Sequence, residues 1–195
     1  MTILGYALLG LLAREPFSGY ELAQKMKAPI SFFWHAKHSQ IYPELAKLEA
    51  QGLVNHERVE QQEHPDKKVY TITPAGRDAL RQWVTAPMEV PHARDELILR
   101  AYSLWLADPQ EASLLFRTHE QRHVEQLRRY EAVQQKIMEE AGALQQQVDS
   151  PDFSSYATLA LGIGYERLYS EWCRWVAEQL EQADATTLEK PSSSG

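Results

Sequence analysis

The chain has 195 residues, 44% of them hydrophobic, and a net charge of −7, an ordinary globular composition with room for one large domain or two small ones. The single cysteine, Cys173, excludes an internal disulfide and suits a reducing compartment, so a cytoplasmic protein is expected. Charge is unevenly spread: residues 1–85 carry ten Lys/Arg and nine Asp/Glu, residues 86–195 ten and eighteen, which leaves the first part free to present a local basic face.

The apolar start, Ile3 to Ala13, lacks the basic flank and small-residue cleavage site of a signal peptide. Ile3, Leu4, Ala7, Leu8, Leu11 and Leu12 recur at helical spacing and predict a first core helix. No stretch is long enough to span a membrane. Pro16 interrupts, and Ser18 caps a second helix to about Lys27 with Leu22, Ala23 and Met26 on one face. A third helix is expected from Ser39 to Gln51, with Ile41, Leu45 and Leu48 inward and Gly52 as a left-handed C-cap. Two strand-like runs, Leu53–Glu60 and Lys68–Ile72, flank a polar hairpin tip, and Thr73-Pro74 opens a helix to about Val84. That order predicts a winged helix-turn-helix over 1–84.

Residues 85–93, with Pro87 and Pro91, read as a linker, and 94–184 as a helical dimerisation and effector domain. Its helices are expected at about Asp95–Ala107, Pro109–Val148 and Phe153–Ala183, and 185–195 as a disordered tail whose end, Lys190 to Gly195, fits a cloning remnant as well as a native terminus. On the long helix Phe116, Glu120, His123, Leu127, Tyr130, Gln134, Ile137, Ala141, Leu144 and Val148 alternate three- and four-residue steps, a heptad seam that predicts pairing with a second copy. Gly162 and Gly164 would allow close helix approach there. The fold class is thus mainly α with a small β-hairpin wing, plus a three-helix C-terminal dimerisation domain with one long helix.

A recognition helix keeps its apolar stripe inward and presents donors from its first turn. Ser39, Gln40, Tyr42 and Pro43 fall in that turn off the Ile41/Leu45/Leu48 stripe. Gln40 can pair with adenine, Ser39 and Tyr42 can donate to phosphate, and Lys37, His38 and Lys47 flank them. Pro43 withholds a backbone donor, which is tolerable near a helix start. At the wing, Lys67 and Lys68 are candidate phosphate contacts. Each residue alone is better explained as solvated polar surface; their co-occurrence with the helix order and the wing favours double-stranded operator DNA, bound by a homodimer at a pseudo-palindrome.

The segments Leu8-Leu9-Gly10-Leu11-Leu12, Ser18-Gly19-Tyr20-Glu21-Leu22, Ala36 to Leu45 and Tyr70-Thr71-Ile72-Thr73-Pro74-Ala75-Gly76 resemble the PadR family of phenolic-acid-responsive transcriptional regulators. The resemblance continues through Asp95-Glu96-Leu97-Ile98-Leu99-Arg100-Ala101-Tyr102 and Ser150-Pro151-Asp152-Phe153, so it spans nearly the whole chain and matches the longer branch of the family. It implies a repressor of phenolic-acid detoxification genes, released from DNA by an aromatic acid. Such an effector needs a cation and a flat apolar slot. Arg100, near Tyr102 and Trp105, is the candidate cation, with Tyr20, Trp34, His38 and Trp172 as further candidates; the plain alternative is an interdomain salt bridge and core aromatics. A regulator answering to another ligand, or an activator, stays open.

Two other classes compete with this reading. His119-Glu120-Gln121-Arg122-His123 fits the H-E-x-x-H zinc-peptidase pattern, but no histidine follows, and Glu139 or Glu140 on the same helix cannot fold back as a third ligand. No cofactor or metal is therefore expected, and no enzyme activity. A helical adaptor with a vestigial winged helix is the third class. Cys173 between Trp172 and Trp175 reads as a small core residue rather than a redox sensor.

Overall fold

The computed structural model describes residues 1–26, 38–60, 67–89, 94–141 and 147–188. Two compact units divide the chain, Met1–Pro91 and His92–Gly195.

In the first unit α1 (Ile3–Leu12) starts at Thr2, whose side chain accepts from the Gly5 N–H. A two-residue strand β1 (Phe17–Ser18) follows, then α2 (Gly19–Lys25), α3 (His38–Ala50), β2 (Val54–Val59), β3 (Lys67–Ile72) and α4 (Pro74–Val84). The strands pair antiparallel in the order β1-β3-β2, with His56 opposite Tyr70 and Arg58 opposite Lys68. Ser18 serves twice: it pairs with Val69 as a strand residue, and its hydroxyl and backbone form a reciprocal cap with Glu21 that opens α2. Beyond those Ser18 hydrogen bonds, nearby Lys67 and Lys25 also help hold the Glu21 carboxyl below its ordinary range.

Leu8, Leu9, Leu12, Leu22, Ile41, Leu45, Leu48 and Val54 are almost wholly buried and form this unit's core. Burying one such side chain stabilises the fold by about 1.5–3 kcal/mol before chain entropy is counted. Gly52 has φ +69, and its N–H bonds to the Glu49 carbonyl while the Leu53 N–H bonds to Leu48, so α3 ends in a Schellman turn.

The second unit contains α5 (Glu96–Tyr102), a 3-10 turn over Leu104–Leu106, α6 (Pro109–Ala141) and α7 (Pro151–Leu188). The helix expected over 95–107 is broken at Ser103 (φ −112, ψ 13). Leu144 lies outside the described residues, and Val148 is exposed in the turn before α7, not on a helical seam. α7 also runs past the expected end at Ala183, through Leu188. The α6 seam itself is occupied within the chain. Phe116, fully buried, meets Trp172 edge-on at 5.6 Å, Glu120 bonds Arg174 at 2.7 Å, and His123 bonds Glu166 at 2.5 Å. Heptad spacing therefore reported α6 lying along its own α7, and pairing with a second copy does not follow from it.

The entry to this unit is pinned by Asp95. Its carboxylate accepts from the Leu97 and Ile98 N–H groups, capping α5, and from the Tyr169 hydroxyl of α7. The Tyr169 hydrogen bond, ahead of burial acting the other way, holds Asp95 below the usual carboxylate range; burial first, then Asp95, raises Tyr169. A depressed carboxyl contributes stability that is complete above its unfolded value near pH 4 and is lost as pH falls through the folded one. Asp95→Asn should thus cost about 1–3 kcal/mol at neutral pH. In urea denaturation the gap between the two proteins should close below about pH 4; a gap that stays constant with pH would refute this account.

Candidate nucleic-acid interface

α3 is clamped along one side and open along the other. Ile41, Leu45 and Leu48 face the core, and Ser39, Gln40, Tyr42, Pro43, Ala46 and Lys47 are exposed. The helix begins at His38, so Tyr42 and Pro43 lie in its second turn and only Ser39 and Gln40 in the first, one turn off the expectation. Pro43, the sixth residue of α3, withholds the donor that the Ser39 carbonyl would otherwise receive. The Tyr42 ring lies over Gly19, where a Cβ would come within 2.6 Å of it, so a glycine opens α2 at the helix–helix crossing. Lys37 and Trp34 lie outside the described residues, as does the side chain of His38.

Two contacts that the sequence reading missed hold α3 in place. Glu44, buried between core positions, accepts from the Thr2 hydroxyl at 2.5 Å and lies 3.6 Å from the Lys47 ammonium. Its spacing of three from Ile41 and four from Leu48 was the available signal. At the other end Glu49 bonds to Nδ1 of His56 on β2, tying the helix to the wing. The Tyr70 ring tilts against His56, and burial, then the Glu49 and Tyr42 charges, raise the Tyr70 hydroxyl.

The two wing lysines differ in setting. Lys68 is exposed, whereas Lys67 is half-buried and lies near Glu21. Lys47 is exposed, with Glu44 its partner.

Within the second unit the candidate effector residues Arg100, Tyr102, Trp105 and Trp172 do not share one pocket, and only Trp172 lines a cleft. Arg100 pairs with Glu96 at 2.6 Å one turn back on α5, a bond within one helix. Tyr102 and Trp105 are 84% and 81% exposed. Trp172 lies half-buried beside Phe116 and lines an apolar cleft of about 320 Å³ with Ala101, Leu104, Trp175 and Val176. Tyr20 is exposed on α2 of the first unit.

The H-E-x-x-H residues are engaged in packing contacts. His123 is bonded to Glu166, and burial raises the Glu120 carboxyl less than Arg174 and Arg117 lower it, so it rests below its ordinary range. Among the described residues no three His, Cys, Asp or Glu side chains are grouped to hold a metal ion. Cys173 is fully buried, and burial pushes its thiol up to about 11, as suits a core residue.

Three helices, a hairpin wing across a three-stranded sheet and an α3 open along one side define a winged helix-turn-helix protein. The profile of the transcriptional regulator PadR-like family matches residues 8–82, and that of the virulence activator alpha C-term matches residues 93–181. The negative transcriptional regulator PadR of Bacillus subtilis (strain 168) is 34% identical over 183 residues, which cover 93% of this chain and all of that protein. The crystal structure of Bacillus subtilis PadR in complex with operator DNA matches with a TM-score of 0.81 at 33% identity, covering 92% of this chain and 99% of that one. The same protein in complex with p-coumaric acid matches with a TM-score of 0.74 at 33% identity, over 91% and 95%. This chain belongs to the PadR-like family of transcriptional regulators.

Proposed function

We propose that the chain is a cytoplasmic, homodimeric repressor that binds operator DNA through α3 and is released by a small aromatic acid. The observation that carries this is α3 itself, with Ser39 and Gln40 exposed on a helix whose other side is fixed by Ile41, Leu45, Leu48 and the Glu44 and Glu49 bonds. A side chain reads a base edge only if its helix cannot roll, because groove hydrogen bonds tolerate little displacement. Lys37, His38, Tyr42, Pro43, Lys47, Lys67 and Lys68 are proposed to position α3 and the wing on the backbone, with Gln40 reading a base.

For the dimer, the support is the outer face of α7. Leu161, Leu168 and Trp175 recur every seven residues and are 72%, 63% and 58% exposed, with Gly164 open on the same row. A seam of that spacing on an already paired helix suits a second copy. Residues 85–93 are proposed as the linker between a DNA-binding unit and a dimerisation and effector unit. The effector is proposed to act by changing the separation of two recognition helices from the roughly 34 Å of one DNA turn.

The relatives' ligands choose the test: gel shifts with fragments upstream of the chain's own gene and its neighbours, with and without p-coumarate or ferulate. One fragment should shift and be released by the acid. Gln40→Ala should weaken the shift about 5- to 150-fold, and Arg100→Ala should keep the shift and lose the release. If no upstream fragment shifts, the repressor reading is lost; release from the Arg100→Ala protein at the ordinary acid concentration would remove Arg100 alone.

A further inference from the structure

The wing carries a cation pair that hydrophobic patterning does not reveal. In the antiparallel β2–β3 ladder Val54 is opposite Ile72, His56 opposite Tyr70 and Arg58 opposite Lys68. Residues two apart on a strand share a face, as do residues directly opposite, so these six side chains form one row of pairs. The first two pairs belong to the core side, where Val54, Tyr70 and Ile72 are buried and His56 is bonded to Glu49 of α3. The third pair lies about 7 Å further along, past the edge of the core on the face turned toward α3, and both of its members are exposed.

Like charges directly opposite each other destabilise a sheet. Here their Cβ atoms are about 5 Å apart, and among the described residues neither cation has a carboxylate in ion-pair contact. Glu57 is on the opposite face of β2, and Glu60 lies beyond its last residue. Lys67, the neighbouring wing cation, points to the other face and lies near Glu21. Two cations held side by side at a cost to the sheet, with no carboxylate paired to either among the described residues, fit an anion that bridges them. The long Arg and Lys side chains can converge on one diester, the guanidinium fork taking two oxygens and the ammonium acting as a point charge.

We propose that Arg58 and Lys68 form a clamp on the wing that grips one backbone phosphate of duplex DNA beside the segment met by α3. This rests on the DNA-binding reading above and assigns it a residue, Arg58, outside the candidates drawn from the sequence. Because a phosphate carries no base identity, the clamp acts alike on all sequences.

The test is a salt titration with a random-sequence duplex of about 30 base pairs, comparing the wild-type protein with K47Q, R58Q and R58Q/K68Q. Each lost phosphate contact flattens the slope of log K against log salt by about 0.9, so R58Q/K68Q should flatten it by about 1.8 per dimer. R58Q alone should weaken binding severalfold, and removal of the like-charge contact should leave its Tm unchanged or raised. A merely structural Arg58 would lower Tm together with affinity. Should R58Q/K68Q fail to fold, R58Q carries the test by the same two readouts. A slope unaltered in R58Q/K68Q while K47Q flattens it overturns the clamp and leaves the DNA-binding reading standing; wild-type protein that binds no duplex overturns both.

Discussion

Gly76→Ala should destabilise the first unit by about 3–5 kcal/mol and abolish operator binding at physiological temperature. Helix propensity alone predicts the opposite, since alanine is favoured over glycine by about 1 kcal/mol inside a helix. Sterics decide the sign. A Cβ at position 76 would come within 2.1 Å of the Leu53 carbonyl oxygen and 2.8 Å of Ile72 Cγ1. That carbonyl cannot retreat cheaply. It accepts the Thr73 N–H at 3.0 Å, and the Leu53 N–H in turn closes the last turn of α3 onto Leu48. Thr73 also caps α4 through the Gly76 N–H and bonds the Gly52 carbonyl at 2.7 Å. Displacing Leu53 therefore loosens the end of the proposed recognition helix and the start of α4 together. For a domain this size 1 kcal/mol moves Tm by about 4–8 °C, so a fall of roughly 15–30 °C is expected in a thermal melt of the first unit. A change of only a few degrees would mean that the carbonyl moves freely.

The contrast with Gly52 shows what was legible in the sequence. Gly52 follows a three-and-four apolar repeat, and its left-handed φ of +69 is what such a position predicts. Ser18 before Glu21 and Thr73 before Pro74 announce their caps in the same local way. The clash that reserves position 76 for glycine arises from Leu53, twenty-three residues away, and no local pattern carries it. β1 was missed because a two-residue strand has no periodicity to read; its existence depends on β3 arriving beside it. Arg58 was missed for a related reason. Its significance lies in the register with Lys68, which the hairpin fixes and composition does not. On α6 the period was read correctly but its partner was not, because a heptad specifies a neighbouring helix without saying which chain supplies it. The effector candidates depend on how distant aromatic residues converge, which single-residue chemistry leaves undetermined.

Phe116→Ala should cost the second unit about 3–5 kcal/mol, whereas removing the Glu131–Arg167 pair should cost under about 1 kcal/mol. Both contacts join α6 to α7, so the difference shows which kind of interaction holds the two helices together. Phe116 is 0% exposed, packed edge-on to Trp172 and surrounded by Leu97, Cys173, Val176 and Ala177. Truncation there leaves a void walled by helix faces that cannot collapse without shifting the helices. Glu131 and Arg167 meet at 3.0 Å with both side chains about half exposed, so water replaces most of what the pair provides. Arg117 with Glu181, at 2.8 Å, is nearly as open. The apolar end near α5 thus anchors the pair, and the polar contacts along its length set register. Chemical denaturation of the second unit, with E131Q/R167Q beside Phe116→Ala, separates the two; equal losses would show that the ion pairs, not the buried ring, carry the helix pair. Since α7 also bears the proposed dimer seam, Phe116→Ala should raise the protein concentration needed for dimerisation, and sedimentation should show monomer where the E131Q/R167Q protein remains paired.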